Sequence, residues 1–573
     1  MAKNQTIAQI TNDFLQSLGS NPALKSDFLL IVDSILHKVA VACKDHNDKV
    51  KAGAITDASW KIPDSLAFWQ IADIMRSLFT IKRISCCPQN SDSDYDLLCI
   101  YVDELVAQEA GCENLLGIYT ESEDVFKVLA AKFNPGITSR ETDELMAALR
   151  RDSPRVTRTL DKDLVPVKNG VFNYRTKFLE PFSPKMVFMM KCDTEYNPAA
   201  VSPLIHNNDD GTDWEVETWM MSLSDDPEVV NLLWEIIGAI IRPYVRWNKS
   251  AWLYSESGNN GKGTLCELMR SLVGDTGYAS IPLTGFSENF ALEPLIRASA
   301  IIVDENDVGA YIDKAANLKS IVTNDVIQVN RKFKTSIAYQ FYGFMVQCLN
   351  EYPRIKDKSD SFYRRQLFIP MTKCFTGRER AYIKNDYLHR KEVLEYILKR
   401  VLEMNYYKLS EPASCVQALA EYKEYNDPVR QFFDELADEF QWDLLPYKFL
   451  YDLFKSWFKQ NQPSGTMIGK NTFINNLVQI VKPENGWLAD KTAQHTSAGR
   501  MSAPEPLTVT YGLPEWQNSV YKGNDIRKMS TFDKPARVYR GLLKITGVNQ
   551  TTDANGSDDG PDGTQEPVSG ENP

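Results

Sequence analysis

Trp252-Leu253-Tyr254-Ser255-Glu256-Ser257-Gly258-Asn259-Asn260-Gly261-Lys262-Gly263-Thr264 runs an apolar strand into a small-residue loop, and the loop into a helix through Leu265, Leu268 and Met269. That order suits phosphates. Glycines let backbone N–H groups approach the oxygens, and a helix N-terminus adds positive potential. The cradle expected for ATP is Gly258, Asn259, Asn260, Gly261, Lys262, Gly263 and Thr264, with Lys262 on the β- and γ-phosphates and a hydroxyl on Mg²⁺. Two positions depart from the usual pattern. Glu256 stands where the first glycine is expected, and Gly263 follows the lysine, so the hydroxyl falls to Thr264. The plainer alternative is a glycine-rich turn before a helix.

About forty residues on, Ala300-Ile301-Ile302-Val303-Asp304-Glu305 reads as a buried parallel strand ending in two carboxylates. After a phosphate loop, Asp304 would hold Mg²⁺ and Glu305 would polarise the attacking water. Alone, the pair is a common turn former. A third strand, Phe344 to Leu349, ends at Asn350, whose amide could contact the γ-phosphate and the lytic water or simply form a turn. Arg364-Arg365 precede the apolar run Leu367-Phe368-Ile369. Either arginine suits a neighbour's γ-phosphate, and either suits an edge strand. Between the second and third strands, two β-prone arms flank Arg331-Lys332-Phe333-Lys334. A basic hairpin with an aromatic can grip a phosphate backbone, or stand as a solvated loop.

These residues need elements to hold them. From Lys249 to about Thr372, strand-like and helix-like runs alternate, as in an α/β domain. Before it, the stretch to about Ala110 reads helical with some interruptions. Short strands follow at Val165–Val167, Gly170–Phe172 and Met186–Phe188, then a helical block from Trp214 to about Ile241. After this α/β segment come helices, with a core stripe at Tyr447, Phe449, Leu450, Leu453, Phe454 and Trp457, and a second helix through Phe473, Leu477 and Ile480 that carries Asn471, Asn475 and Asn476 on its other side. A basic, strand-prone piece holds Lys522, Arg527, Lys528, Lys534, Arg537, Arg540 and Lys544. Asp92, Asp94 and Asp96 alternate as a metal-binding strand would, but read better as a solvated acidic loop.

The chain has 573 residues, 43% of them hydrophobic, and a net charge of −12. That charge argues against a broad basic surface for nucleic acid, though not against a ring with a basic pore. There is no run of apolar residues long enough for a membrane span, and Met1–Phe14 lacks the apolar core of a signal peptide, so no membrane partner and a cytoplasmic location in the host are expected. The ten scattered cysteines contain no CxxC and read as reduced core residues.

Taken in order, the phosphate loop, the Asp304-Glu305 strand, the basic hairpin, the Asn350 strand and the arginine pair resemble the superfamily 3 helicases, and more closely the helicase half of phage and plasmid primase-helicases, related to the poxvirus primase-helicase. Leu164–Phe172 resembles the strand motif preceding that motor, Lys319–Asp325 its "LKxhhTGGD" segment with Asn324 in place of a glycine, Asn350–Ile355 its "TNxhPxh" motif, and Asp427–Phe432 the start of its C-terminal winged-helix region. The resemblance runs from roughly Tyr119 to Val481.

It implies an α/β fold: an AAA+-like P-loop ATPase core with an N-terminal α+β region and a C-terminal winged-helix-like domain. The expected segments are a mainly helical region at 1–115, an α+β collar candidate at 116–245, the ATPase at 246–380, a helical connector at 381–426, a winged-helix-like DNA-binding domain at 427–548, and a disordered acidic tail at 549–573. It further implies a homo-oligomeric, hexameric ring moving 3′ to 5′ on single-stranded DNA. Lys262, Thr264, Asp304, Glu305 and Asn350 would act on one side of each ATP, and Arg364 or Arg365 would come from the neighbour. Arg331, Lys332, Phe333 and Lys334 would line the pore, and the C-terminal region would meet duplex or origin DNA. No primase domain is visible, so priming would need a separate primase. Two other readings stay open: a nucleotide kinase, and an origin-binding initiator or regulator that uses ATP for assembly.

Overall fold

The computed structural model describes residues 2–18, 26–87, 95–307, 311–312, 314–332, 334–355, 357, 359–461 and 467–545. Phe333, Asp92, Asp94 and the expected acidic tail lie outside the described residues. The secondary structure is mixed α and β, and the chain divides into two compact units, Met1–Lys423 and Glu424–Pro573. Among the described residues, no helix is long and apolar enough to cross a membrane. All ten cysteines are free thiols, and nine are buried.

The first unit opens with α1 (Ala2–Leu18), α2 (Phe28–Lys51) and α3 (Phe68–Leu78). Asp27 caps α2 by accepting from Leu30 N at 3.0 Å. The helical expectation for this stretch then needs correction, because β1 (Ile81–Ser85) and β2 (Leu97–Tyr101) follow. After α4 (Glu104–Ala110), β3 (Tyr119–Thr120), α5 (Glu123–Phe133), α6 (Ser139–Asp152) and β4 (Arg155–Thr157), these strands close a sheet of order β3-β2-β1-β4. Arg83 pairs with Arg155 across it, a long-range partnership that local periodicity does not report. Asp96 is also corrected: it is a buried carboxylate accepting from Arg155 Nε at 2.7 Å and Nη2 at 3.0 Å, not a solvated one.

β5 (Leu164–Val167), β6 (Gly170–Asn173) and β7 (Phe178–Glu180) form an antiparallel sheet. Its third strand is not at Met186–Phe188, where it was expected. Lys177, at φ 62, closes a tight turn straight after β6 and uses the nearer apolar run instead. The 186–188 segment is irregular, with the Val187 and Phe188 carbonyls accepting from Thr159 N and Tyr119 N. β8 (Ile205–His206) pairs with β9 (Asp213–Trp214). The helical block is two helices, α7 (Val216–Ser222) and α8 (Pro227–Ile241), broken where Asp226 caps Glu228 N and Pro227 takes the first helical position.

The central sheet uses β10 (Ser250–Tyr254), β11 (Tyr278–Ala279), β12 (Ala300–Val303), β16 (Phe344–Leu349) and β18 (Gln366–Pro370), all parallel, in the order β11-β12-β16-β10-β18. α9 (Lys262–Val273) follows β10. β13 (Tyr311–Ile312) pairs with β17 (Arg354–Ile355), and α10 (Ala316–Val322) leads into the hairpin β14 (Val326–Arg331) and β15 (Lys334–Gln340). α11 (Asp360–Tyr363) precedes β18, and α12 (Ala381–Asn385), α13 (Lys391–Glu403) and α14 (Ala413–Asn426) follow it. Residues such as Ala251, Leu253, Ile302 and Val346 pack with α8 and α9 residues in one cluster, while Trp252, Ile301, Val303 and Phe368 face a second. Burial on both faces accounts for the near-continuous apolar runs in these strands.

The second unit contains α15 (Pro428–Leu436), β19 (Leu444–Pro446), α16 (Tyr447–Asn461), α17 (Lys470–Ile480), β20 (Trp487–Ala489), β21 (His495–Thr496), α18 (Leu507–Thr510), α19 (Ile526–Met529), β22 (Val538–Tyr539) and β23 (Gly541–Lys544). An antiparallel sheet β19-β23-β20 packs with three helices around Phe432, Trp442, Phe449, Phe454, Trp457 and Phe473. Asp427 caps α15 through Val429 N and Arg430 N.

Candidate functional site

β10 delivers the loop Ser255–Gly261 to the C-terminal edge of the central sheet, and Gly261 turns it into α9. Gly261 has φ +85, and a Cβ there would lie 2.8 Å from Leu223 Cδ2, so the turn needs glycine on both counts. Lys262 is 5% exposed, and its Nζ lies 3.4 Å from the Ser255 carbonyl. Burial pulls its ammonium below the ordinary lysine range. The loop is braced from the segment after β18. Phe375 N donates to Asn259 O at 2.7 Å, and Asn259 Nδ2 donates to Glu379 Oε1 at 2.9 Å. Glu256 is exposed, and its carboxylate accepts from Tyr254 Oη at 2.9 Å. Tyr254 itself stacks on Tyr352 with centroids 4.1 Å apart. This anchoring gives the acidic side chain a partner of its own at the position where a glycine is usual.

Because β12, β16 and β10 are adjacent and parallel, Asp304-Glu305, Asn350 and the loop emerge side by side at one edge. Asp304 is half-buried and is held by Arg270 of α9, Nη2 to Oδ1 at 2.7 Å and Nη1 to Oδ2 at 3.2 Å. That hydrogen bond, against burial, keeps its carboxyl below the usual range. Glu305 and Asn350 are exposed, and Thr264 is half-buried in the first turn of α9. The Thr264 hydroxyl and the Asp304 carboxylate are hard oxygen donors of the kind Mg²⁺ takes.

Arg364 and Arg365 are not brought to this edge. They precede β18, whose Gln366 pairs with Ser250 at the start of β10, and Ser250 N donates to Arg365 O at 2.8 Å. A five-residue strand separates them from the loop, about 16 Å along the sheet. They line a cavity of about 500 Å³ together with Arg246, Lys249 and Lys408; its one acid, Glu411, pairs with Lys249 at 3.1 Å. Burial first, then the neighbouring Arg364, lowers the Arg365 guanidinium from its ordinary value.

In the hairpin, Arg331 pairs with Lys334, and Lys332 is a turn residue. Lys332 at the turn and Lys334 at the start of β15 therefore do not lie on one extended strand. Lys334 Nζ lies 2.6 Å from Glu123 Oε1 at the start of α5, and Arg331 Nε lies 3.9 Å from Glu293 Oε1. The Lys334 hydrogen bond depresses the Glu123 carboxyl. Sequence reasoning missed Arg158, fully buried under the base of β15. It donates to Tyr339 Oη at 3.1 Å, to Cys86 O at 2.9 Å and to Gln340 O at 2.7 Å. No local pattern marks it, because every partner is distant in sequence.

Within the second unit, a cavity of about 510 Å³ is lined by Lys448, Lys470, Lys491 and Arg540, with Asn471 and Asn475 of α17; no carboxylate is among its described lining residues, and Lys448 Nζ lies 3.0 Å from Glu515 Oε2. Only Arg540 belongs to the basic run singled out from sequence. The other three cations come from separate segments that folding brings together.

Two family models match parts of the chain: residues 253–365 match a family of unknown function (DUF5906), and residues 424–503 match the family described as poxvirus D5 protein-like. A search of curated proteins finds no match. Among solved structures, the chain is similar to apo forms of the C-terminal region of NrS-1. One is 12% identical with a TM-score of 0.39, covering 83% of this chain and 99% of that one. A second is 12% identical with a TM-score of 0.37, covering 72% and 85%.

Proposed function

We propose that the chain is an ATP-dependent replicative DNA helicase of a phage or mobile element, of the superfamily 3 type, working as a hexameric ring that moves 3′ to 5′ on single-stranded DNA. The observation that carries this reading is the division of the central sheet. The loop with Lys262, the Asp304-Glu305 pair and Asn350 share one edge, and Arg364 and Arg365 occupy the other. An arginine that acts on phosphate but cannot reach its own loop calls for a second copy. The poxvirus D5-like match at 424–503 supports the same family relation.

In this reading Gly258 to Gly263 present backbone N–H groups to the phosphates of ATP, and Lys262 sits on the β- and γ-oxygens. Thr264 and Asp304 would hold Mg²⁺, which neutralises phosphate charge when bound. Glu305 takes the proton of the attacking water, and Asn350 orients that water against the γ-phosphate. Arg364 or Arg365 of an adjacent subunit stabilises the charge that develops. Arg331, Lys332 and Lys334, with Phe333, contact the strand in the pore, and the second unit contacts duplex or origin DNA.

The test is ATP hydrolysis and separation of a forked duplex by the parent, Lys262→Ala and Glu305→Gln. Both variants are expected to lose at least about 10²-fold in hydrolysis, with Glu305→Gln still binding ATP. Normal turnover in both removes the assignment. The basic cavity of the second unit favours a second reading, an origin-binding initiator that uses ATP for assembly. Duplex binding without strand separation by the parent would select it.

A further inference from the structure

α12 reaches the phosphate loop from the segment after β18, the same segment that braces Asn259. Its Lys384 is half-buried, and a Cβ built on Gly263 would lie 3.7 Å from Lys384 Nζ, with no other atom from outside its own stretch of helix within 4 Å. The ammonium therefore stands over the first turn of α9, one residue from Lys262. That is an unfavourable place for a bare cation. The N-terminus of α9 is the positive end of its dipole, and Lys262 adds a like charge. Asp304 feels Lys384 only as a weak attraction, and both of its oxygens are held by Arg270. Among the described residues, the Lys384 side chain makes no hydrogen bond or ion pair. A lysine held over the first turn of a helix that itself begins with a lysine is compatible with that place when an anion lies at the helix end.

We propose that Lys384 is a second phosphate-binding lysine of the nucleotide site, touching the terminal phosphate oxygens opposite Lys262. The inference rests on the nucleotide reading given above. It also gives a physical role to the glycine after Lys262. A side chain at 263 would stand between the helix turn and the ammonium. Charge-assisted contact with the outermost phosphate makes Lys384 a discriminator of triphosphate from shorter nucleotides.

The experiment is a titration of the full chain with fluorescent analogues of ATP, ADP and AMP, using the parent, Lys384→Ala, Lys384→Gln, Lys384→Arg and Lys262→Ala. Lys384→Ala and Lys384→Gln should bind ATP about tenfold more weakly, with AMP affinity unchanged, and the deficit should shrink as salt rises. Lys384→Arg should retain most of the affinity, and the Gln variant keeps the aliphatic stem against a purely packing effect. ATP affinity within about twofold of the parent for both neutral variants, with Lys262→Ala defective, overturns the role of Lys384 alone. A uniform loss for ATP, ADP and AMP also overturns it. A parent that binds no triphosphate overturns the nucleotide reading and this inference together.

Discussion

Arg270, two turns into the helix that begins at Lys262, holds both carboxylate oxygens of Asp304, so the helix after the glycine-rich loop and the neighbouring acidic strand end are tied by one ion pair. The Arg270 hydrogen bond holds the Asp304 carboxyl below the usual aspartate range in the folded chain. The stability it contributes is therefore present above the ordinary aspartate value and is lost as pH falls through the lower folded value, in a window below about pH 4. Because Asp304 is about a third exposed, Arg270→Ala should cost only about 0.5–1 kcal/mol at neutral pH. Thermal melts from about pH 7 to about pH 3 should show the parent and the variant converging on acidification. A constant gap would mean that Arg270 acts through packing.

Separation of the arginine pair from the loop predicts complementation. Arg365→Ala should lower hydrolysis about 10³-fold, and mixing it with Lys262→Ala subunits should restore part of the activity, since some interfaces then pair an intact loop with an intact arginine. Activity independent of protein concentration, with no gain on mixing, would place the arginines outside the reaction.

Glu123 competes for a cation that the single strand is proposed to use. Lys334→Ala should weaken single-strand binding and reduce the salt slope by about 0.7 for each lysine engaged. Glu123→Gln should strengthen binding, because the lysine no longer has to leave a carboxylate. Fluorescence anisotropy across a salt series reads both, and equal affinities for the parent and both variants would take Lys334 out of the contact.

In the second unit, Lys470→Ala and Lys491→Ala should each weaken duplex binding on any sequence, lowering the slope by about 0.9. Asn471→Ala and Asn475→Ala should cost about 1–3 kcal/mol on a preferred sequence and little elsewhere, since amides read adenine edges. Basal hydrolysis should survive all four changes. Its loss in parallel would make this region a support for the first unit.

The chemistry-bearing strands were legible in sequence because each element advertises itself locally: Ile301-Ile302-Val303 before Asp304-Glu305, Gly258 to Lys262 before a helix, two β-prone arms around Arg331–Lys334. What escaped was long-range. Arg83 of β1 pairs with Arg155 of β4, Asp96 is buried beside Arg155, and Arg158 donates to the carbonyls of Cys86 and Gln340, both far away in sequence. The cationic cavity of the second unit was out of reach of the sequence for the same reason. A run of charge at 522–544 is visible along the chain, whereas Lys448, Lys470 and Lys491 become neighbours only when α16, α17 and the strands around them pack.

The hydrogen bond from Ser250 N to Arg365 O also has a mechanical meaning. β10 is a short strand paired on both sides, with the glycine-rich loop at its far end and the arginine backbone laced to its near end through the β18 ladder. Packed interiors transmit displacement rather than absorb it. In a ring of the proposed kind, a shift of β10 as its loop closes on phosphate would move the arginine offered to the next subunit. Each site would then report its own state to the following one through a single strand, and the order of firing around the circle would be written into one backbone ladder instead of a hinge.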